Sequence, residues 1–283
     1  FFLCGLFFSY LLLIVDSIKQ KLLTNKMGVN LRVWQLFSIS LTTKFYLLFT
    51  PATFVGSSLR WYKITEKGGG TYKALVVVAL NRLIDIFLIL VLGLFFGFFG
   101  GQENITLNIW LLICMVFIPV VLWITLMQLI QPLLDWVIHL ETNSKPHYLR
   151  SIFQKSRKML EALWVFRSFS IGQIVLIFMV GVFVNVLGLI SYWYFAKSVG
   201  IKLMLFDLGW IRSLIILTSF LPISFAGGLG VRELSLVSLL SLFGINAEVA
   251  LAFSFLLFSK GVLISLSGGI IEAGQTIKTG RLY

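Results

Sequence analysis

The amino-acid sequence predicts an all-α, polytopic transmembrane helix bundle with two re-entrant, broken helix pairs arranged as an inverted repeat. Three observations lead there. Of 283 residues, 59% are hydrophobic and only 12% are charged, against about 25% charged in an ordinary soluble domain. The mean hydropathy is +0.99, and apolar runs recur at lengths suited to a bilayer. Two Pro/Gly breaks interrupt those runs in matched patterns, and an arginine follows each.

Taken in order, the apolar runs fall at 1–15, 33–50, 72–99, 106–128, 170–195, 207–221, 226–243 and 249–271. A helix needs about 20 residues to cross the hydrocarbon core. The runs at 72–99, 106–128, 170–195 and 249–271 meet that length. Residues 1–15 read as the tail of a transmembrane helix whose start is missing. The run at 33–50 is borderline and ends in PATFVGSSLR. The runs at 207–221 and 226–243 are short and flank PISFAGG. The whole of 1–283 is expected to form one transmembrane domain. Within it lie a first repeat over 33–99, a cytoplasmic amphipathic connection over 129–169 and a second repeat over 207–271.

The distribution of basic residues selects between crossing and re-entrant segments. If 33–68 and 207–243 each return to the side they entered from, then 16–32, 57–73, 129–169 and 272–283 share one side. That side holds sixteen lysines and arginines, from Lys19, Lys21 and Lys26 through to Arg281. The opposite side holds two, Lys197 and Lys202. Such a bias is expected when the basic side is cytoplasmic, so 129–169 and the C-terminus are placed there, in a cell (inner) membrane. Five of the 23 basic residues are left at membrane depth: Lys44, Arg82, Arg212, Arg232 and Lys260. The net charge of +12 therefore points to anionic lipid headgroups, and its arrangement between apolar runs argues against nucleic acid.

The two breaks share a pattern. Pro51 is followed by Phe54, Gly56 and Arg60, and Pro222 by Phe225, Gly227 and Arg232, with Gly228 and Gly230 between. The long apolar run after each break carries an internal cation, Arg82 in the first and Lys260 in the second. Paired broken helices in inverted repeats mark transporter sites near the midplane. Free N–H groups at a restarting helix suit an anion, and the planar arginine fork suits phosphate. The expected headgroup site is Arg60, Arg82, Arg232 and Lys260. Asp85, three residues after Arg82, is expected to hold it in place. Glu233 is expected to serve Lys260 or Arg212 rather than its neighbour Arg232. Arg212 is read as a supporting anchor, and Lys44 and Glu272 as interfacial.

The connection at 129–169 alternates apolar and polar residues with helical spacing, so that Leu149, Ile152, Phe153, Leu160, Leu163 and Trp164 share a face, as in surface-lying helices. Cys4 and Cys114 sit inside apolar runs without a CxxC, and His139 and His147 lack the spacing of ligands. No metal and no cofactor is expected.

The stretch LPISFAGGLGVRELSLVSLLSLFGINAEVALAFSFLLFSKGVLISLSGG, from Leu221 to Gly269, resembles the C-terminal signature of the lysylphosphatidylglycerol synthase transmembrane family, also called flippase-like membrane proteins. TPATFVGSSLRWYKI and the NRLID of 81–85 resemble that family's first half. The resemblance implies movement of a lipid or a lipid-linked product between leaflets. By match it carries over Gly227, Gly228, Gly230, Arg232, Glu233, Arg60, Arg82 and Asp85. Two positions depart from the family pattern. The final-helix cation, typically arginine, is Lys260, and the first turn reads Gly-Ser-Ser where paired glycines are commoner. The soluble aminoacyltransferase domain of some relatives is not expected.

The sequence thus favours a non-enzymatic transporter whose partner is an anionic phospholipid or lipid-linked substrate. Two alternatives stand beside it: an accessory subunit with a membrane-protein partner or a second copy of the chain, and a membrane-embedded transferase acting on lipid-linked sugar. The second of these would rely on Glu103 and Glu248, the acids of the short external loops.

Overall fold

The computed structural model describes residues 1–50, 53–68, 70–100, 131–139, 169–218 and 230–279, with isolated positions between 128 and 161. Eight helices build the described bundle: α1 (Phe2–Lys26), α2 (Val33–Phe49), α3 (Thr53–Glu66), α4 (Thr71–Phe99), α5 (Ile171–Ser198), α6 (Leu205–Thr218), α7 (Val231–Ser241) and α8 (Ala247–Thr279). Residues 131–139 are also helical, and there is no strand among the described residues. A bilayer offers no partner for an open backbone, so helices that satisfy their own amides are the natural outcome of so apolar a sequence.

Four described helices are long and apolar enough to cross a membrane: Phe2–Lys26, Thr71–Phe99, Ile171–Ser198 and Ala247–Gln275. Three coincide with long runs in the sequence, while the run at 106–128 lies outside the described residues except for its last position, as does most of 129–169. The chain is a multi-pass membrane protein. In contrast, α2, α3, α6 and α7 contain 17, 14, 14 and 11 residues. Their described parts reach roughly 16–26 Å at the α-helical rise, short of the hydrocarbon thickness of about 30 Å.

The first helix corrects the sequence reading. It does not end near residue 15 but continues to Lys26, through what was expected to be a polar loop. The reason is electrostatic. Lys19 has a fully buried side chain and pairs with Asp16 one turn earlier at 2.9 Å and with Asp85 of α4. Gln20 Nε2 donates to Asp16 Oδ2 at 2.7 Å, and Asn81 Nδ2 donates to Asp85 Oδ2 at 3.0 Å. The charges that look like a helix end are satisfied inside the bundle. Lys19 therefore leaves the topological count, which still stands at fifteen to two.

The helices fall into two four-helix units, α1–α4 and α5–α8. Helices α1 and α5 run antiparallel along their length. The Phe2 ring meets Phe195, the hydroxyls of Ser9 and Ser191 lie 2.7 Å apart, and the Lys19 stem passes Gly181. At the far end the Lys26 ammonium sits 5.8 Å from the Phe169 ring centre. Small and hydroxyl side chains supply this contact, as is usual where lipid gives helices no hydrophobic reason to associate.

Helix α2 packs antiparallel on α8. Ser265 Oγ donates to the Lys44 carbonyl at 3.0 Å, Gly268 abuts the Leu41 carbonyl, and Gln275 Nε2 donates to Ser38 Oγ at 2.9 Å. Helix α4 packs antiparallel on α6 with Gly93 at Ser213, Gly97 at Trp210 and Gly100 at Asp207. Helix α3 lies against α2 and α4, and α7 against α6 and α8. Exchanging α1 with α5, α2 with α6, α3 with α7 and α4 with α8 converts each of these contacts into another. Since the leading helices are antiparallel, the two units are inverted with respect to one another.

Each unit has its own apolar core. Leu36, Ile39, Ile64, Val77, Leu80 and Ile84 centre the first. Phe195, Leu208, Ile211, Leu236, Leu240 and Phe253 centre the second. A cavity lies between them.

Candidate functional site

A cavity of about 500 Å³ opens between the units, within the roughly 300–1,000 Å³ range of small-ligand sites. Helices α1, α2, α4, α5, α6, α7 and α8 all contribute to its lining. Thr50, just after α2, and Thr218, the last described residue of α6, both line it. Thr50 already leaves the helix for extended backbone, with φ −113° and ψ 136°.

Five basic side chains among the described residues line the cavity: Lys44 from α2, Arg82 from α4, Arg212 from α6, Arg232 from α7 and Lys260 from α8. They are the five that the topological count leaves at membrane depth. No acidic side chain lines the cavity among the described residues. The Lys260 ammonium is within electrostatic reach of Lys44, Arg212 and Arg232, and the Phe195 ring lies 5.5 Å away. Arg212 Nη1 donates to Asn185 Oδ1 at 3.3 Å. Its guanidinium fits there because residue 188 is glycine, where any Cβ would collide with it.

Arg232 is the second residue of α7. Its Nη2 donates to Glu233 Oε1 at 2.9 Å, while its Nε is buried without a partner among the described residues. Glu233 also accepts from the Gly230 amide and, at 3.1 Å, from Ser254 Oγ. Sequence adjacency had argued against an Arg232–Glu233 pair. The pair forms because both residues belong to the first turn, where Glu233 folds back to cap the free amide and brings its other oxygen under the arginine. Tyr192 is a second unsatisfied group of the lining: it is 6% exposed, and its hydroxyl has no partner among the described residues.

Three of the four expected headgroup residues, Arg82, Arg232 and Lys260, meet in this cavity. Arg60 does not line it. Its Nη2 lies 3.4 Å from Ser40 Oγ, within electrostatic reach of Asp16 and Asp85. The Asp16–Lys19–Asp85 network carries one excess negative charge, and Arg60 sits where it offsets that excess. Asp85 in turn is not dedicated to Arg82, because Lys19 and Asn81 occupy its two oxygens. Lys44 and Arg212, read from sequence as interfacial and supporting, are full members of the lining. Glu272, expected to be interfacial, lies near the end of α8. It pairs with Lys63 of α3 at 2.6 Å and accepts from Tyr46 at 3.0 Å.

Among the expected turn residues, Pro51, Pro222, Gly227 and Gly228 lie outside the described residues. Gly56 is not in the turn but within α3, where a Cβ would press on Leu47 of α2 at 2.8 Å. It is small so that the two short helices can pack. Gly230 does sit at the restart of α7, with φ +93° and ψ −69°, a backbone conformation open to glycine and strained for other residues.

Sequence reasoning passed over Tyr192 and the Lys19 network. A signal for the network was present in Asp16 and Lys19, spaced i,i+3 beyond an apolar run. Tyr192 had none, since one tyrosine in an apolar helix is unremarkable.

No curated protein and no solved structure matches this chain. The protein family described as the lysylphosphatidylglycerol synthase TM region matches residues 1–268, which takes in both units and every cation of the cavity. The chain belongs to the lysylphosphatidylglycerol synthase transmembrane-region family.

Proposed function

We propose that the chain is a flippase-like transporter that moves an anionic phospholipid or lipid-linked substrate between leaflets. The observation that carries this reading is the cavity itself: five cations from both inverted units, and no lining acid among the described residues. A cation held at membrane depth costs roughly 2.5–3.5 kcal/mol on insertion scales, and a phosphate passing through would offset that cost. The headgroup would follow the cavity while its tails remain in lipid. Membership in a lipid-handling family supports a lipid substrate.

On this reading α2–α3 and α6–α7 are re-entrant pairs. Their described lengths, each short of a full span, and the packing of each pair against its own unit favour that arrangement. Residues 129–169 and the C-terminus then face the cytoplasm. The chain acts as a transporter rather than an enzyme.

The test is a reconstituted flipping assay with a fluorescent anionic phospholipid in vesicles. Arg232→Ala and Lys260→Ala are each expected to slow flipping about tenfold or more, the worth of one charge-assisted contact. Wild-type rates in both variants would refute the mechanism.

A further inference from the structure

We propose that Tyr192 and Arg232 form a phosphate subsite on the second unit's side of the cavity, where the tyrosine hydroxyl and the arginine Nε each donate to an oxygen of one lipid-borne phosphate. This rests on the reading of the cavity as a headgroup site and adds where in it the phosphate is held, and by which hydrogen bonds.

Two unmade hydrogen bonds carry it. Tyr192 of α5 and Arg232 of α7 both line the cavity, and the Tyr192 hydroxyl and the Arg232 Nε are both buried without a partner among the described residues. A buried polar group left unpaired costs its full desolvation, and native interiors rarely leave one. Here two occur in one lining, and both can donate. Arg212 and Arg232, both within electrostatic reach of Tyr192, are donors as well. What this corner of the cavity lacks is an acceptor. A phosphate diester supplies two free anionic oxygens, one for each unmade bond.

The surroundings fix both donors. Asn185, Gly188 and Tyr192 fall at i, i+3 and i+7 on α5 and so share one face. Asn185 accepts from Arg212 at 3.3 Å and Gly188 leaves room for its guanidinium, which seats that arginine a turn along from Tyr192. The Tyr192 ring meets Phe253 of α8 edge-on, with 4.8 Å between centres at 75°. The next residue, Ser254, donates to Glu233 at 3.1 Å, and Glu233 holds Arg232 through Nη2 at 2.9 Å. Successive residues of α8 thus position the two donors, and the arginine is gripped at one nitrogen while another is left over. Neither orphaned atom is exposed as the lining stands. The phosphate reaches them by a shift of the side chains around them, and the two bonds it completes offset the cost of that shift.

Binding to the purified full chain in detergent tests this, with short-chain phosphatidylglycerol, the matching diacylglycerol and inorganic phosphate as probes. Phosphatidylglycerol is expected to bind at least tenfold more tightly than either, on the order of one or more charge-assisted contacts. Tyr192→Phe removes the hydroxyl and keeps the ring. It is expected to weaken phosphatidylglycerol about tenfold, the worth of one hydrogen bond to a charged group, and to leave diacylglycerol unchanged. Arg232→Lys keeps the charge and loses the Nε–H, and is expected to weaken phosphatidylglycerol about fivefold. Tyr194→Phe, on the same helix with its ring stacked on Phe8 and outside the lining, keeps wild-type affinity. Stability gives a second readout, which a merely structural hydroxyl would move the other way. Without lipid, Tyr192→Phe should raise the unfolding midpoint in mixed SDS micelles, because it deletes an unpaired buried group.

Wild-type affinity for phosphatidylglycerol in folded Tyr192→Phe overturns the proposal. So does an unfolding midpoint that falls in that variant without lipid, which would give the hydroxyl a partner within the chain. Diacylglycerol binding as tightly as phosphatidylglycerol overturns the role of the phosphate, and inorganic phosphate binding as tightly overturns the lipid-borne source. If the Tyr192 effect on binding holds but reconstituted vesicles show no flipping, the transport reading fails and this one stands. Flipping that depends on Arg232 and Lys260 but is unchanged in Tyr192→Phe has the opposite meaning.

Discussion

Lys19→Met removes an ammonium from the interior of the bundle and keeps most of its stem. The wild-type side chain is fully buried between Asp16 and Asp85, whose side chains are 14% and 29% exposed. Removing one partner of a buried ion pair costs about 3–5 kcal/mol, because the charge left behind is uncompensated. Here two carboxylates are left, but each keeps some exposure and a donor, Gln20 or Asn81, and Arg60 lies within electrostatic reach of both. The lower end, about 3 kcal/mol, is therefore expected.

Asp85→Asn behaves differently. It leaves Lys19 paired with Asp16 at 2.9 Å and leaves Arg60, within reach of both acids, facing Asp16, so no buried charge is stranded and about 1 kcal/mol is expected. In the double variant Lys19→Met strands one carboxylate instead of two, which gives a coupling of at least about 1 kcal/mol. Equilibrium unfolding in mixed SDS micelles, followed by tryptophan fluorescence, measures all three. A cost for Lys19→Met below about 1 kcal/mol would refute a desolvated network and return Lys19 to the role of a loop lysine. In that role its loss would disturb orientation and leave stability alone.

Two backbone positions give further tests. Gly268→Ala drives a Cβ into the Leu41 carbonyl of α2, so the α2–α8 contact must open at a cost of about 1–3 kcal/mol. Gly261→Ala, on the same helix with nothing within 4 Å of the added carbon, is the matched control and should be neutral in the same unfolding assay. Gly230→Ala forces alanine to φ +93° and is expected to cost roughly 1–3 kcal/mol. It should also disturb the restart of α7 and with it the position of Arg232, which makes anion binding a second readout.

The membrane fold was legible because its cause is local. Apolar runs of spanning length appear in the sequence as themselves, and the bilayer allows them little besides helix. The five cavity cations were legible for a related reason. A lysine or arginine inside an apolar run is costly wherever it lies, so Lys44, Arg82, Arg212, Arg232 and Lys260 stood apart before any helix was placed. Their division into cavity and interface was not legible, since it depends on the rotation of each helix about its axis. Arg60 was assigned by analogy with Arg232, and the analogy failed because α3 faces the Asp16–Lys19–Asp85 network whereas α7 faces the cavity. Pairings failed in the same way. Asp85 and Lys19 are 66 positions apart, and no spacing rule joins them. Gly56 shows the limit on motif reading: its spacing from Pro51 matches that of Gly227 from Pro222, yet it serves the packing of α3 on α2.

The inversion of the two units follows from one register, that of α1 on α5, and can be tested without any transport assay. Ser9 Oγ and Ser191 Oγ are 2.7 Å apart, and both also bond to the Gly5 carbonyl. Cysteines at both positions would have Cβ atoms near the ~3.5–4.5 Å separation that a disulfide needs. With Cys4 and Cys114 replaced by serine, Ser9→Cys/Ser191→Cys should crosslink on mild oxidation. Cleavage between the units then leaves the two halves joined on a non-reducing gel. Ser9→Cys/Ile177→Cys, which a parallel α1–α5 pair would favour, should not crosslink. The reverse pattern would place the leading helices parallel, and the two units would be related by an axis along the membrane normal. In that arrangement the inversion that brings Lys44 of α2 and Arg212 of α6 to a common cavity would be lost, and with it the reason for five described cations to share one site.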